Sequence, residues 1–293
     1  MYAILTILAG VLWGCISIFI KTLADLGLSS IHVMYIRATL SAVMLFFFLL
    51  IKDRSLLKIK LRDTWMFLGT GVISLSFFSL CYFTTILEVG ASVAVILLYT
   101  SPIFVLILSV LLFKEKINLR KIIALVLTFA GCILVTGIIG AGPAVSSARI
   151  TLKGFLIGLC AGFGYALYSI FSRFALKKYN SLTVTFYTFV FSGVSLIPFT
   201  MGSDLLVKML PNGKFWLFAV GIAIFCTVLP YIFYTVGLSG LETGRAAILV
   251  TVEPLVGTLI GFLIYNENVS FLKIVGIVCI FIAVVLLGIK TEE

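Results

Sequence analysis

Ten apolar runs fill almost all of the 293 residues, near positions 3–23, 32–51, 64–86, 91–113, 120–138, 154–175, 182–200, 214–236, 243–265 and 271–289. Each is close to the ~20 residues that a helix needs to cross bilayer hydrocarbon. Hydrophobic residues make up 62% of the chain and charged residues only 11%, against roughly 25% charged in a soluble domain. The expected fold class is therefore all-α and integral to a membrane, with ten transmembrane helices. The first run starts almost at Met1 without a basic leader or a sensible cleavage site, so it reads as a retained helix rather than a signal peptide.

The runs repeat. Gly10, Ser17, Ile18 and Phe19 match Gly162, Ser169, Ile170 and Phe171 at an offset of 152, with Trp13 opposite Tyr165 and Lys21 opposite Arg173. Gly69, Tyr82, Ala94, Ile96, Leu97, Pro102, Glu115 and Lys121 match Gly221, Tyr234, Ala246, Ile248, Leu249, Pro254, Glu267 and Lys273 at the same offset. Single matches among leucines mean little, whereas Pro and Glu matches at one offset are hard to reach by chance. With five runs per half the second half must start from the opposite side of the membrane, so the expected arrangement is two inverted repeats, 1–138 and 154–290, joined by an external linker at 139–153.

Net charge is +10, but the basic residues sit in short loops rather than on one exposed face, which argues against nucleic acid as a partner. Lys52, Arg54, Lys58, Lys60, Arg62, Lys114, Lys116, Arg120 and Lys121 flank one side of the first half, with only Lys21 on the other. Nine against one predicts both termini in the cytoplasm. The longest polar connections, 52–63, 139–153 and 201–213, are too short to fold into a nucleotide-driven motor, and no phosphate-binding Gly-rich loop is present. The six cysteines, at 15, 81, 132, 160, 226 and 279, lie within apolar runs without a Cys-x-x-Cys pair and read as packing residues. One histidine, His32, excludes a multi-histidine metal site and opens the second run as an interfacial polar residue. No metal or cofactor is expected.

Proline inside an apolar helix removes a donor and clashes with the carbonyl one turn back. Pro102 and Pro254 should therefore loosen the fourth and ninth helices at the carbonyls of Leu98 and Val250. Interrupted segments at matched places of two repeats point to a midplane binding site. Charges within spans are costly and are functional candidates by default: Arg37, Arg245 and Glu253. Glu253 is ten residues into the ninth run, roughly 15 Å along a helix, beyond snorkelling reach. Its counterpart is Ser101. Arg37 and Arg245 lie nearer helix ends, where an extended side chain reaches the interface. Glu115 and Glu267 read as helix-end contacts that orient the following helix. Trp13, Tyr99, Tyr165 and Tyr168 fall at mid-depth, where hydroxyls need protein or water partners. With Glu253 and Ser101 they form the expected substrate-binding set, suited to an amphipathic or cationic metabolite. Tyr82 and Tyr234, nearer opposite ends of the third and eighth helices, join Pro102 and Pro254 as expected gating residues. Glycines at 154, 158 and 162, and at 10 and 14, permit close helix approach.

With Trp13-Gly14 in the first helix, Arg37 in the second, the breaks at Pro102 and at Glu253-Pro254, and the paired Glu115 and Glu267, the chain resembles the EamA-type carriers of the drug/metabolite transporter superfamily over essentially its whole length. The resemblance implies an inverted-repeat carrier in the cytoplasmic membrane, usually an exporter of amino acids or related metabolites, with a cavity lined by helices one, three, four, six, eight and nine. This chain has Tyr165 where many members have Trp. The implied partners are a small-molecule substrate, the lipid bilayer and protons as a coupling ion, in a monomer or homodimer. An importer of a small organic cation such as a quaternary amine is the runner-up. A membrane-embedded enzyme or lipid-handling protein should carry clustered His, Asp or Cys near an interface, and this chain has one His and isolated acids.

Overall fold

The computed structural model describes residues 1–139, 151–201, 211–266 and 270–288. Most of the expected linker, Glu267 and the residues beyond Gly288 lie outside them. The helices are α1 (Tyr2–Asp25), α2 (Ser30–Lys52), α3 (Leu61–Val89), α4 (Ala91–Phe113), α5 (Leu119–Val135), α6 (Leu152–Ala175), α7 (Ser181–Thr200), α8 (Gly213–Gly240), α9 (Thr243–Tyr265) and α10 (Phe271–Gly288). Among the described residues nine are long and apolar enough to cross a membrane alone. The tenth, α5, has 17 residues and packs along α10, where Gly131 and Gly276 face each other so closely that neither has room for a Cβ.

The two halves interlock. α1 packs on α8 and α6 on α3, while α2 pairs with α7, α4 with α9 and α5 with α10. Exchanging the halves turns the first pair into the second and leaves the other three unchanged, so the all-helical fold is two inverted five-helix repeats.

Local breaks follow the same offset. α4 divides into Ala91–Leu98 and Ser101–Phe113; α9 divides into Thr243–Leu249, a 3-10 turn at Val250–Val252, and Glu253–Tyr265. Pro102 and Pro254 thus sit in the first turn of a new segment, where a missing N–H leaves no intrahelical bond unmade. Both segments end on a left-handed residue, Lys114 (φ 56°) and Asn266 (φ 52°), the only non-glycine residues with positive φ among those described. α3 and α8 widen to π-helix over Gly69–Ser76 and Ile224–Val228. There Ser76 Oγ donates to the Gly71 carbonyl (3.1 Å) and Thr227 Oγ1 to that of Ile222 (2.8 Å), taking up acceptors that the wider turn misaligns.

The glycines of α1 and α6 explain why these breaks are tolerated. Gly10 lies against the Val250 carbonyl, and Gly162 against the carbonyls of Leu97 and Leu98, with no room for a Cβ at either. The acceptors loosened by proline therefore face protein backbone rather than lipid. α1 itself breaks at Cys15, between Tyr2–Gly14 and Ile16–Asp25, whereas α6 is one continuous helix over Leu152–Ala175. Here the halves differ.

Polar contacts close the face that carries the amino terminus. Glu115, beyond the end of α4, accepts from the backbone N–H groups of Thr243 (2.6 Å) and Gly244 (3.1 Å) at the start of α9. It orients a helix of the other repeat rather than its own successor. Beside it Lys121 Nζ pairs with Glu242 at 2.7 Å. Asp63 accepts from Lys178 Nζ (2.5 Å) and Tyr179 Oη (2.7 Å), tying α3 to the α6–α7 turn.

Candidate functional site

A cavity of about 490 Å³ lies between α1, α2, α3 and α9 and reaches the face opposite the amino terminus, where Lys21, Ser30 and Tyr265 mark the helix ends. Lys21 Nζ stands 3.8 Å over the Tyr265 ring. Ile16, Ile20, Val33, Met34, Phe83 and Ile86 make most of the wall apolar; Ser17, Arg37 and Tyr82 are its polar exceptions deeper in. Arg37 comes seven residues after Ser30 on α2, roughly 10 Å down the helix. It is 9% exposed, and its Nε has no hydrogen-bond partner.

Beneath this cavity lies a closely packed aromatic cluster. Trp13 packs edge-on against Tyr231 (centroids 5.0 Å) and tilted against Tyr234 (5.6 Å); Tyr168 packs on Tyr231 (5.1 Å) and Tyr234 (6.1 Å); Tyr165 meets Phe78 (5.2 Å). Hydroxyls lock the cluster: Ser169 Oγ and Tyr234 Oη lie 2.7 Å apart, Tyr168 Oη and Thr235 Oγ1 3.0 Å apart. One turn further, Arg173 donates to the Leu238 carbonyl. The void left among these rings is about 10 Å³, no larger than one water.

Repeat equivalence makes the arrangement legible. Ser17, Lys21, Tyr82 and Ile86 line the open cavity; their counterparts at the 152 offset, Ser169, Arg173, Tyr234 and Leu238, are the residues bonded to one another in the closed half. Ser17 Oγ, the counterpart of a bonded hydroxyl, is buried without a partner. One half of the molecule is open and the other shut by matched positions.

The residues singled out by sequence do not form one group. Trp13, Tyr165, Tyr168 and Tyr234 come together in the aromatic cluster, and Tyr82 lines the open cavity. Tyr99 and Pro254 instead line a separate recess of about 290 Å³ between α4, α5, α9 and α10. Ser101 is buried and lines neither cavity nor recess. Glu253 opens the second segment of α9, partly exposed, with no ion pair to its carboxylate among the described residues. It is within electrostatic reach of Arg37, Tyr82, Tyr99 and Tyr165, and Gly257, one turn on, borders both the cavity and the recess.

The two arginines part company. Arg245 Nε donates to the Leu287 carbonyl at 2.7 Å and ties α9 to α10. Arg37 does not snorkel: it is enclosed at the cavity floor beside the Tyr231 hydroxyl. Of the expected cavity helices, α1, α3 and α9 line this cavity together with α2, which supplies Ser30, Val33, Met34 and Arg37, while α6 and α8 line the aromatic cluster and α4 the recess. Sequence reasoning passed over Ser17 and Ser169 as carriers of contacts; their signal was a hydroxyl repeated at the 152 offset within apolar runs. His32 Nδ1 lies 2.6 Å from Ser29 Oγ at the start of α2, an end contact.

A family model described as the EamA-like transporter family matches residues 1–137 and again 152–289. A protein from Archaeoglobus fulgidus described as an uncharacterized transporter is 26% identical over 92% of this chain and 90% of its own length. YetK of Bacillus subtilis, described in the same words, is 22% identical over 88% of this chain and 78% of its own. A solved crystal structure superimposes with a TM-score of 0.80 at 14% identity, covering 97% of this chain and 95% of the other; at that identity the likeness is one of fold.

Proposed function

The chain belongs to the EamA-like transporter family, and from that premise we propose that it is a secondary carrier of small metabolites that works by alternating access. The observation that carries this reading is the matched asymmetry of the halves. Positions that line a cavity open to one face in the first repeat are hydrogen-bonded shut in the second. Exchanging the two conformations between the repeats would close the cavity and open the cluster, presenting the same central residues to the opposite face.

The substrate reading is an amino acid or related metabolite moved out of the cell across the cytoplasmic membrane, with both termini inside. Charge bias in the loops of the first half supports the orientation. The repeats, 1–138 and 154–290, act as the two moving units, and Glu253, central and without an ion pair, is the candidate for proton coupling. Trp13, Tyr165, Tyr168 and Tyr234 form the central constriction, and Tyr82 the outer wall. The cavity lining carries Arg37 and Lys21 and no carboxylate, which favours amino acids over simple amines and disfavours a quaternary amine as cargo.

The test is efflux from proteoliposomes loaded with a panel of labelled amino acids and amines, with and without a pH gradient. Saturable loss of an amino acid above that of protein-free vesicles is expected. Absence of protein-dependent flux for every compound would refute the reading.

A further inference from the structure

Resting on that carrier reading, we propose that Arg37 is the anion subsite of the cavity: it binds a carboxylate on a substrate whose remaining body is apolar, and so decides between acids or zwitterions and simple amines.

Three observations point to it. First, the guanidinium is nine-tenths buried, lines the cavity, and leaves Nε without an acceptor. A buried donor without an acceptor is destabilising, and more so when charged, so an anionic ligand that supplies the acceptor would relieve that cost. Second, no ion pair holds that charge among the described residues. Its polar neighbour is the Tyr231 hydroxyl, a hydrogen-bonding group rather than an anion, and no carboxylate lies at ion-pair distance from Arg37 among the described residues. Glu253 is within electrostatic reach but not at ion-pair distance and is not part of the cavity lining.

Third, the rest of the cavity fits such a molecule. Ser17 Oγ, on the facing wall of α1, is a second buried group lacking a partner and can donate to the same anionic group. Ile20, Val33, Met34 and Phe83 offer apolar surface for the body. Lys21 at the mouth has the same sign as Arg37, and a cleft lined by one sign with low-dielectric walls concentrates the opposite charge. A guanidinium also presents a planar pair of donors matched to carboxylate geometry, which an ammonium lacks.

The experiment uses three probes with one apolar body: phenylalanine, 3-phenylpropionate and phenethylamine. Binding of each to the purified full chain in detergent is measured by calorimetry for the wild type, Arg37→Gln and Arg37→Lys, beside flux in proteoliposomes. The two carboxylates should bind and the amine should not. Arg37→Gln should weaken carboxylate binding by about 10- to 100-fold, as expected for losing one hydrogen-bonded charge pair, with Arg37→Lys intermediate. Equal or preferential binding of the amine by the wild type, absence of carboxylate binding, or unchanged binding in a monodisperse Arg37→Gln overturns the proposal. Should Arg37→Gln fail to fold, acid-against-amine discrimination by the wild type decides. Arg37-dependent binding without any flux would sink the carrier reading and leave the subsite standing; flux of the amine alone would do the reverse.

Discussion

Replacing Glu115 tests whether contacts between the repeats hold the broken helices. Its carboxylate accepts from two backbone N–H groups at the start of α9, at 2.6 and 3.1 Å. Thr243, the first of these donors, is 0% exposed, so water cannot replace the lost acceptor there. Each hydrogen bond to a charged group contributes about 1.5–3 kcal/mol; because Glu115 is itself half-exposed the low end applies, and Glu115→Ala should lose about 3 kcal/mol. Glu115→Gln keeps one neutral acceptor and should lose about half of that. At about 2–4 °C per kcal/mol for a chain of this order of size, the midpoint of thermal unfolding falls by about 6–12 °C for Ala and about 3–6 °C for Gln. The control is Glu88→Ala on the opposite face, whose partner Lys153 is 69% exposed, and which should cost no more than about 1 kcal/mol. The assay is loss of monodispersity after heating in detergent, followed by size-exclusion chromatography. If Glu115→Ala unfolds within about 2 °C of the wild type, or no earlier than Glu88→Ala, the capping argument fails.

Further outcomes follow from the same geometry. Pro102→Ala combined with Pro254→Ala restores an N–H at both helix breaks and should slow transport while leaving a folded, monodisperse carrier; wild-type turnover in that double variant would leave the prolines a packing role alone. Glu253→Gln preserves size and hydrogen-bonding capacity while removing charge, and should abolish transport or flatten its pH dependence. An unchanged pH profile would redirect attention to Trp13, Tyr99 and Tyr165 as a neutral pocket. A reporter fused after Glu293 should be active only in the cytoplasm, and activity in the external compartment would overturn the orientation drawn from nine basic residues against one.

Periodic and compositional information lies along the chain, and it was sufficient for the frame. Continuous apolarity over about twenty residues demands helices in lipid, and the 152 offset predicted that α9 would break where α4 does, which it does at Ser101 and Glu253. Other features needed three dimensions. Glu115 was legible as a helix-end contact, but its partner lies 128 residues away in the other repeat. Arg37, a turn and a half into its span, looked able to reach the interface; α1, α3 and α9 enclose it instead. Ser17 and Ser169 are equivalent as sequence, yet one hydroxyl is bonded and the other is not. The physical reason is that helix formation and lipid burial are satisfied segment by segment, whereas pairing of polar groups inside a membrane protein depends on which segments meet. A duplicated sequence also specifies two equal halves, and only their packing against each other decides which half is open.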